Sequence, residues 1–331
     1  MTRTLRAGLI GLGAMGRNHA RVLQSLPDIE FVGAVDPLDP PQPRALRVEV
    51  LSGIRELVER GTDLCVVATP THTHEAIALE LAEVGIATLV EKPVAHDEKA
   101  AQRMVDAFDA AGVVGCVGHI ERYNPALQDM RRRLARNELG EVFQVVTRRQ
   151  GPFPARIADA GVILDLATHD IDLTAWVTGS PYRSVSARVA HRSGRIHEDL
   201  VSTVGELADG TVVTHLVNWL SPLKERVTTV TGEYGCFVAD TLTADLTFFQ
   251  NGSESTEWER VAVFRGVSEG NVTRFAIPKP EPLVTELSNF ADAVRGEPAD
   301  VVTMADGLCT VQVAEALRSS AMTGRTTEVI R

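Results

Sequence analysis

Leu5-Arg6-Ala7-Gly8-Leu9-Ile10-Gly11-Leu12-Gly13-Ala14-Met15-Gly16 is the stretch that decides the fold class. A short, mostly apolar run of strand character leads directly into Gly-x-Gly-x-x-Gly, and the residues after it have the spacing of a helix. Each glycine has its own task in that setting. Gly11 permits the tight turn, Gly13 lets a pyrophosphate come close to the backbone, and Gly16 allows the helix to pack against the strand. Ala14, Met15 and Gly16 open the helix, where unpaired amides and the positive end of the dipole favour phosphate. Asp36 ends the second apolar run, twenty residues beyond Gly16, placed to accept hydrogen bonds from an adenosine ribose. Its charge repels a 2′-phosphate, and Pro37 rather than an arginine follows it, so the pattern selects NAD over NADP. A tight turn that binds no nucleotide is the competing reading. It is outweighed because strand, glycines, helix and carboxylate are all in register.

Outward from this motif the same alternation continues. Strands are expected at Leu5 to Ile10, Phe31 to Val35, Leu64 to Ala68, Ala87 to Val90 and Val113 to Val117. Between them, His72 to Val84 and Asp97 to Ala111 carry apolar residues at helical spacing, with Asp97 as N-cap and Gly85 and Gly112 as stops. Such βαβ repetition predicts a parallel Rossmann sheet over residues 1–120. After a helix expected at Asn124 to Leu139 the character changes. Alternating segments at Val142 to Arg148, Val185 to Val189, Val201 to Leu207, Thr211 to Val217, Arg226 to Thr231 and Leu246 to Phe249 predict a mostly antiparallel open sheet. Two helices, Glu281 to Val294 and Met304 to Ala321, close the chain. The expected second domain, an α/β unit, is therefore 121–331. The Pro-rich segment Asp36 to Pro43 reads as a stiff surface loop.

Composition bounds the partners. The 331 residues are 44% hydrophobic and 23% charged with a net charge of −11, enough for two ordinary cores and without the footprint of a nucleic-acid or anionic-membrane binder. No run approaches the roughly 18 to 20 apolar residues of a membrane span, and the N-terminus lacks a secretory pattern. A cytoplasmic protein is expected. Cys65, Cys116, Cys236 and Cys309 are too far apart for a zinc or redox motif, and three of them sit in apolar runs as small hydrophobes.

Three further clusters bear on chemistry. Ala68-Thr69-Pro70-Thr71-His72-Thr73-His74 follows a strand and falls at the carboxyl edge of the sheet, where open α/β folds bind ligands. Thr71 or Thr73 caps the next helix; His72 reads as a solvated helix start, and His74 is open between that and a cofactor contact. Glu91-Lys92-Pro93 stands beyond another strand, where a lysine can orient a hydroxyl, steady charge on oxygen, or simply pair with Glu91 at the surface. In Gly161 to Leu173, Asp165, His169 and Asp172 stand at i, i+4 and i+7, which in a helix places them on one face. A histidine held by carboxylates is equipped to take a proton from an alcohol. The same trio could ligate a divalent metal, or the histidine could be a hydrogen-bonded core residue.

In this order the four motifs resemble the Gfo/Idh/MocA family of nicotinamide-dependent sugar and cyclitol oxidoreductases, over nearly the whole chain. The resemblance implies a cofactor site at Gly11, Gly13, Ala14, Met15, Gly16, Asp36, Thr69, Pro70, His74, Glu91 and Lys92. It implies Lys92 and His169 as catalytic pair, Asp165 orienting substrate and Asp172 in support, with no metal. It further implies a cis peptide before Pro93 and an open sheet that builds homodimers or homotetramers. Within the family, Gly118 to Pro125 and Gly151 to Ile157 are similar to the UDP-N-acetylglucosamine 3-dehydrogenase branch. On that reading Arg148, Arg149 and Arg156 are available to fork onto a pyrophosphate, and Tyr123 and Asn124 bound the pocket. Strand neighbours point to opposite faces, so at least one of Arg148 and Arg149 is expected to be solvated. Alternatives are an inositol or free-sugar dehydrogenase, a nucleotide-deoxysugar ketoreductase, a metal-dependent lyase, and a sensor without turnover.

Overall fold

The computed structural model describes residues 3–36, 46–154, 160–252 and 269–329. Its chain divides into two compact units, one of residues 1–120 and 280–315, the other of 121–279 and 316–331.

In the first unit β1 (Leu5–Ile10), β2 (Ile29–Val35), β3 (Val50–Leu51), β4 (Leu64–Val67), β5 (Ala87–Glu91) and β6 (Gly115–Gly118) form one sheet in the order β3-β2-β1-β4-β5-β6. Every pairing is parallel. The order reverses between β1 and β4, the switch point at which such sheets bind ligands. All four residues of β4 and all five of β5 are buried, as strands covered on both faces require. The connecting helices are α1 (Ala14–Leu23), α2 (Ile54–Glu59), α3 (His74–Glu83) and α4 (Glu98–Ala111). Asp97 caps α4 by accepting from the Ala100 amide at 2.8 Å, and Gly112 ends it in the left-handed region at φ 63°. Because Val113 N–H still bonds to Phe108 O in closing that helix, β6 begins two residues later than the expected Val113.

The expected domain 121–331 is not contiguous. Helix α7 (Pro282–Arg295) belongs to the first unit, where Leu283, Leu287, Phe290 and Ala291 join the core of Leu5, Ala7, Leu9, Ala20 and Leu23. A capped apolar stripe seeks the core with which it packs, whatever its place in sequence. Helix α8 (Met304–Thr323) begins in the first unit and ends in the second.

The second unit is an open sheet, mostly antiparallel, with strands β7 (Val142–Pro152), β8 (Tyr182–Ala190), β9 (Leu200–Leu207), β10 (Val212–Asn218), β11 (Leu220–Gly232), β12 (Gly235–Asp240), β13 (Asp245–Asn251), β14 (Glu269–Arg274) and β15 (Thr327–Glu328). Their order is β14-β13-β12-β11-β7-β10-β9-β8-β15, and β7 with β10 is the parallel pair. Helices α5 (Pro125–Ala135) and α6 (Thr168–Thr178) pack on the face that carries Val145, Thr147 and Arg149. The helix expected to reach Leu139 stops at Ala135, and Asn137 takes a positive φ of 60° in the exit turn. β12, β14 and the two-residue β3 and β15 were not evident from alternation. Among the described residues no helix is long and apolar enough to cross a membrane.

Candidate active site

The first unit brings the glycine turn, Asp36, Thr69 and Lys92 to the carboxyl edge of its sheet. Gly11 has φ 95°, and a Cβ there would lie 2.5 Å from the Ala68 carbonyl oxygen. A Cβ on Gly16 would stand 1.9 Å from the Gly11 carbonyl oxygen, so Gly16 packs on the turn itself. Gly13 has nothing within 4 Å of its Cβ position and is exposed at the mouth of α1. This is a cradle open on one side, and it fits a pyrophosphate laid against backbone amides. Asp36 Oδ2 accepts from the Leu12 amide at 2.7 Å, which fixes the carboxylate beside the turn. Pro37 and the Pro-rich segment after it lie outside the described residues.

Two of the residues expected to touch cofactor are turned inward. His74 is buried, with Nδ1 3.1 Å from the Pro93 carbonyl oxygen and Nε2 2.9 Å from that of Thr69. Its ring sits between the Thr69–Pro70 loop and the loop after β5, and burial holds it below the usual histidine range, so as a neutral imidazole it donates to one of the two carbonyls. Glu91 is buried too, with Oε1 2.7 Å from His19 Nε2 and Oε2 accepting from the Lys92 amide at 3.2 Å. Burial works to raise its pKa, but the hydrogen bond and charge of His19, with Lys92, carry it below the ordinary carboxylate value. His72 is exposed, Lys92 is partly exposed, and the Lys92–Pro93 peptide is cis.

In the second unit the residues in question are His169 and Asp165. Glu198 organises the approach: its carbonyl accepts from the Val162 amide at 3.0 Å and its Oε1 from the Ile163 amide at 3.1 Å. A Cβ on Gly161 would meet that carboxylate at 2.1 Å, so a larger residue there would push the Glu198 side chain aside. Residues Ile163–Ala167 then make a π-turn before α6, an irregularity often found at functional sites. Asp165 and His169 are partly exposed while Ile163, Leu166, Ala167 and Thr168 around them are buried. His169 Nδ1 is buried, while the residue as a whole is partly exposed.

Asp172 does not share that face. It is buried, and Arg122 donates to it in a fork, Nε to Oδ2 at 2.9 Å and Nη2 to Oδ1 at 2.6 Å. Asp165 lies in the π-turn, out of phase with α6, so the expected three-residue face does not form. With both Asp172 oxygens on a guanidinium, the Asp165–His169–Asp172 metal reading loses a ligand.

Arg148 and Arg149 separate as strand neighbours must. Arg148 lies on the outer face with Glu225 at 2.8 Å. Arg149 is buried, donating Nε to Asp170 at 2.9 Å and Nη1 to Glu121 at 2.8 Å. Burial raises Asp170 despite Arg149, whereas Arg149 with Arg226 overcomes burial to hold Glu121 low. Arg148 therefore stands away from α6, and the Arg149 fork is already filled by carboxylates. Asn124 is spent as the N-cap of α5, with Oδ1 accepting from the Ala126 amide at 3.1 Å and Nδ2 donating to Thr241 O at 3.0 Å. Tyr123 is buried. Arg156 lies outside the described residues. The sequence reading missed His19, although it stands three residues past Gly16, and Arg226, which lines the inner face opposite Arg149.

Residues 5–119 match the oxidoreductase family, NAD-binding Rossmann fold, and residues 127–238 match the GFO/IDH/MocA C-terminal domain. The chain belongs to the Gfo/Idh/MocA family. It is similar to scyllo-inositol 2-dehydrogenase (NAD(+)) of Bacillus subtilis, 26% identical across 98% of this chain and 96% of that enzyme. UDP-N-acetylglucosamine 3-dehydrogenase of Acidithiobacillus ferrooxidans is 31% identical over 182 residues, 53% of this chain and 55% of that one. The solved structure of the latter superposes with a TM-score of 0.84 over 98% of this chain and 99% of that one, a likeness of fold at 24% identity. GenD2 from gentamicin A biosynthesis, solved in complex with NAD, superposes at 0.81 with 26% identity over 100% and 98%. The Gfo/Idh/MocA chain is thus an NAD-dependent oxidoreductase of a sugar and polyol dehydrogenase family, and its N-terminal unit is the NAD-binding Rossmann domain.

Proposed function

We propose that the protein oxidises the C3 hydroxyl of UDP-N-acetylglucosamine to the 3-keto nucleotide sugar. The observation that carries the reading is the 31% identity to an enzyme of that name, together with the Gly118 to Pro125 and Gly151 to Ile157 segments. NAD, when bound, supplies the ring that accepts the hydride. His169 takes the hydroxyl proton on a ring nitrogen, Nε2 in this reading because Nδ1 is buried. Lys92 donates a hydrogen bond to the same oxygen as the C–O bond gains double-bond character. Asp165 accepts from a neighbouring hydroxyl and orients the sugar. Gly11, Gly13, Ala14, Met15, Gly16, Asp36, Thr69 and Pro70 hold the dinucleotide, while His74 and Glu91 shape the loops around it. Of the three arginines available for the pyrophosphate, Arg156 keeps that role; Arg148 and Arg149 give it up. The reading implies a cytoplasmic enzyme, where NAD is supplied.

Oxidation of an inositol or free polyol is the second reading, favoured by the relative that aligns over 98% of the chain. The two separate in one assay, reduction of added NAD with UDP-N-acetylglucosamine, myo- and scyllo-inositol and free N-acetylglucosamine in parallel. Reduction confined to the nucleotide sugar is expected. Reduction with inositols alone would overturn the C3 proposal and leave the roles of His169 and Lys92 standing.

A second copy of the chain is proposed to cover the outer face of the open sheet. Val212, Gln144, Thr231, Cys236, Phe249 and Val272 follow one another across it in register, with Val212, Phe249 and Val272 exposed. Light scattering should give a dimer or tetramer; a monomeric mass at micromolar concentration would refute it.

A further inference from the structure

The His19–Glu91 contact sits apart from the residues assigned to substrate and cofactor, and it has features that packing alone does not require. His19 is fully buried on α1, three residues past the last glycine of the phosphate turn. It gives its Nε2 to Glu91, and among the described residues its Nδ1 has no hydrogen-bond partner. Burying a histidine and a carboxylate beside an apolar sheet is unfavourable unless the pair is geometrically well made. The other oxygen of Glu91 does not go to a second side chain. It takes the backbone amide of Lys92. Gly118 on β6 completes the enclosure, since a Cβ there would lie 3.2 Å from Glu91 Cδ. From the other side His74 Nδ1 lies 3.1 Å from the Pro93 carbonyl oxygen. The peptide that carries Lys92 is thus held at its amide by Glu91 of β5, itself anchored to His19 on α1, and flanked at Pro93 by His74 of α3.

We propose that His19 and Glu91 are a positioning pair that ties α1 to the backbone of Lys92 and so sets where the lysine amine stands. The proposal rests on the reading that Lys92 acts on the substrate oxygen, but its geometric content does not depend on which substrate is used. Each partner has one task. His19 Nε2–H anchors one oxygen of Glu91 to α1, and the remaining oxygen then faces the Lys92 amide. Removing the histidine leaves the carboxylate without its buried partner and lets the Lys92 peptide relax. Replacing Glu91 by Gln keeps the volume but sets an amide donor against one of two donors, His19 Nε2–H or Lys92 N–H. His19→Gln keeps a donor on a side chain of similar length. Neither residue touches substrate in this account, so neither is a catalytic residue.

The chain has only four lysines, Lys92, Lys99, Lys224 and Lys279, which makes the amine itself observable. The full-length protein is reductively methylated with 13C and its dimethyl-lysine signals are recorded at one fixed pH, with Lys92→Arg assigning the Lys92 peak. In His19→Leu, Glu91→Gln and Gly118→Ala the Lys92 signal is expected to move while Lys224 and Lys279 stay in place, and His19→Gln should restore it. With unmethylated protein, kcat should fall roughly tenfold or more while the Kd for NADH changes less than about twofold, as misplacement of a catalytic group requires. Should His19→Leu not fold, Gly118→Ala perturbs Glu91 by contact alone and reads the same signal. An unmoved Lys92 signal in Glu91→Gln and Gly118→Ala overturns the proposal whatever the kinetics. A moved signal with unchanged kcat, when Lys92→Ala is also fully active, overturns the catalytic reading of Lys92 and leaves the positioning geometry intact.

Discussion

The two units fix their reactive side chains by opposite means. The Rossmann unit holds Lys92 through its backbone: the Lys92 amide donates to Glu91 Oε2 at the end of β5, and His19 on α1 takes the other Glu91 oxygen. The open-sheet unit holds His169 on a helix whose neighbouring carboxylates are neutralised by arginines far away in sequence. Arg122 reaches Asp172 fifty positions on, and Arg149 reaches Asp170 across 21. The first arrangement rests on one buried pair that grips the backbone. The second is stiff only while buried charges stay paired, which makes it the more fragile half.

The largest separation between these halves should appear in turnover. His169→Asn is expected to lower kcat by about 10²- to 10⁴-fold, the usual worth of a general base, with the Kd for NADH nearly unchanged. Comparable losses in turnover and cofactor affinity would instead make His169 part of the binding machinery.

Stability should separate them next. Arg122→Met leaves Asp172 buried without its fork, and urea unfolding should show a loss on the order of 3–5 kcal/mol. Adding Asp172→Leu should return much of that loss, because the uncompensated charge goes with it. In the Rossmann unit, removing a buried carboxyl should have the opposite sign. Glu286 on α7 is 1% exposed, and among the described residues neither of its oxygens has a hydrogen-bond partner. Burial first, and the Glu91 charge second, hold it well above the ordinary carboxylate range. A carboxyl with a raised pKa in the folded state binds protons that the unfolded chain has released, so it withdraws stability as pH rises above its unfolded value. Glu286→Gln should therefore melt higher than the parent at pH 7 to 8, with the gain vanishing near pH 4. A gain independent of pH would show that the proton is not the cause.

This contrast also explains what was legible beforehand. The Rossmann sheet, its turn glycines and the positions of Asp36, Thr69 and Lys92 follow from local patterns of strand, glycine and helix. Residues 165–172 read as one helical face because the spacing is helical. The π-turn over Ile163–Ala167 and the pull of Arg122 broke that face, and neither leaves a mark within eight residues of sequence. The inward turn of Glu91 was hidden in the same way, since its partner His19 lies 72 positions upstream. Arg148 and Arg149 were readable only as alternatives until the sheet fixed which one faces α6. Helix α7 was recognisable as a helix, but its return to the first core depends on tertiary packing that periodicity does not encode.

The most direct test of the account uses UDP-N-acetylglucosamine deuterated at C3, incubated with the enzyme and NAD, with mass analysis of the reduced nicotinamide. The account predicts one deuterium per reduced cofactor and a 3-keto sugar that carries none. Unlabelled reduced cofactor formed from this substrate would contradict oxidation at C3, because the hydride would have come from another carbon.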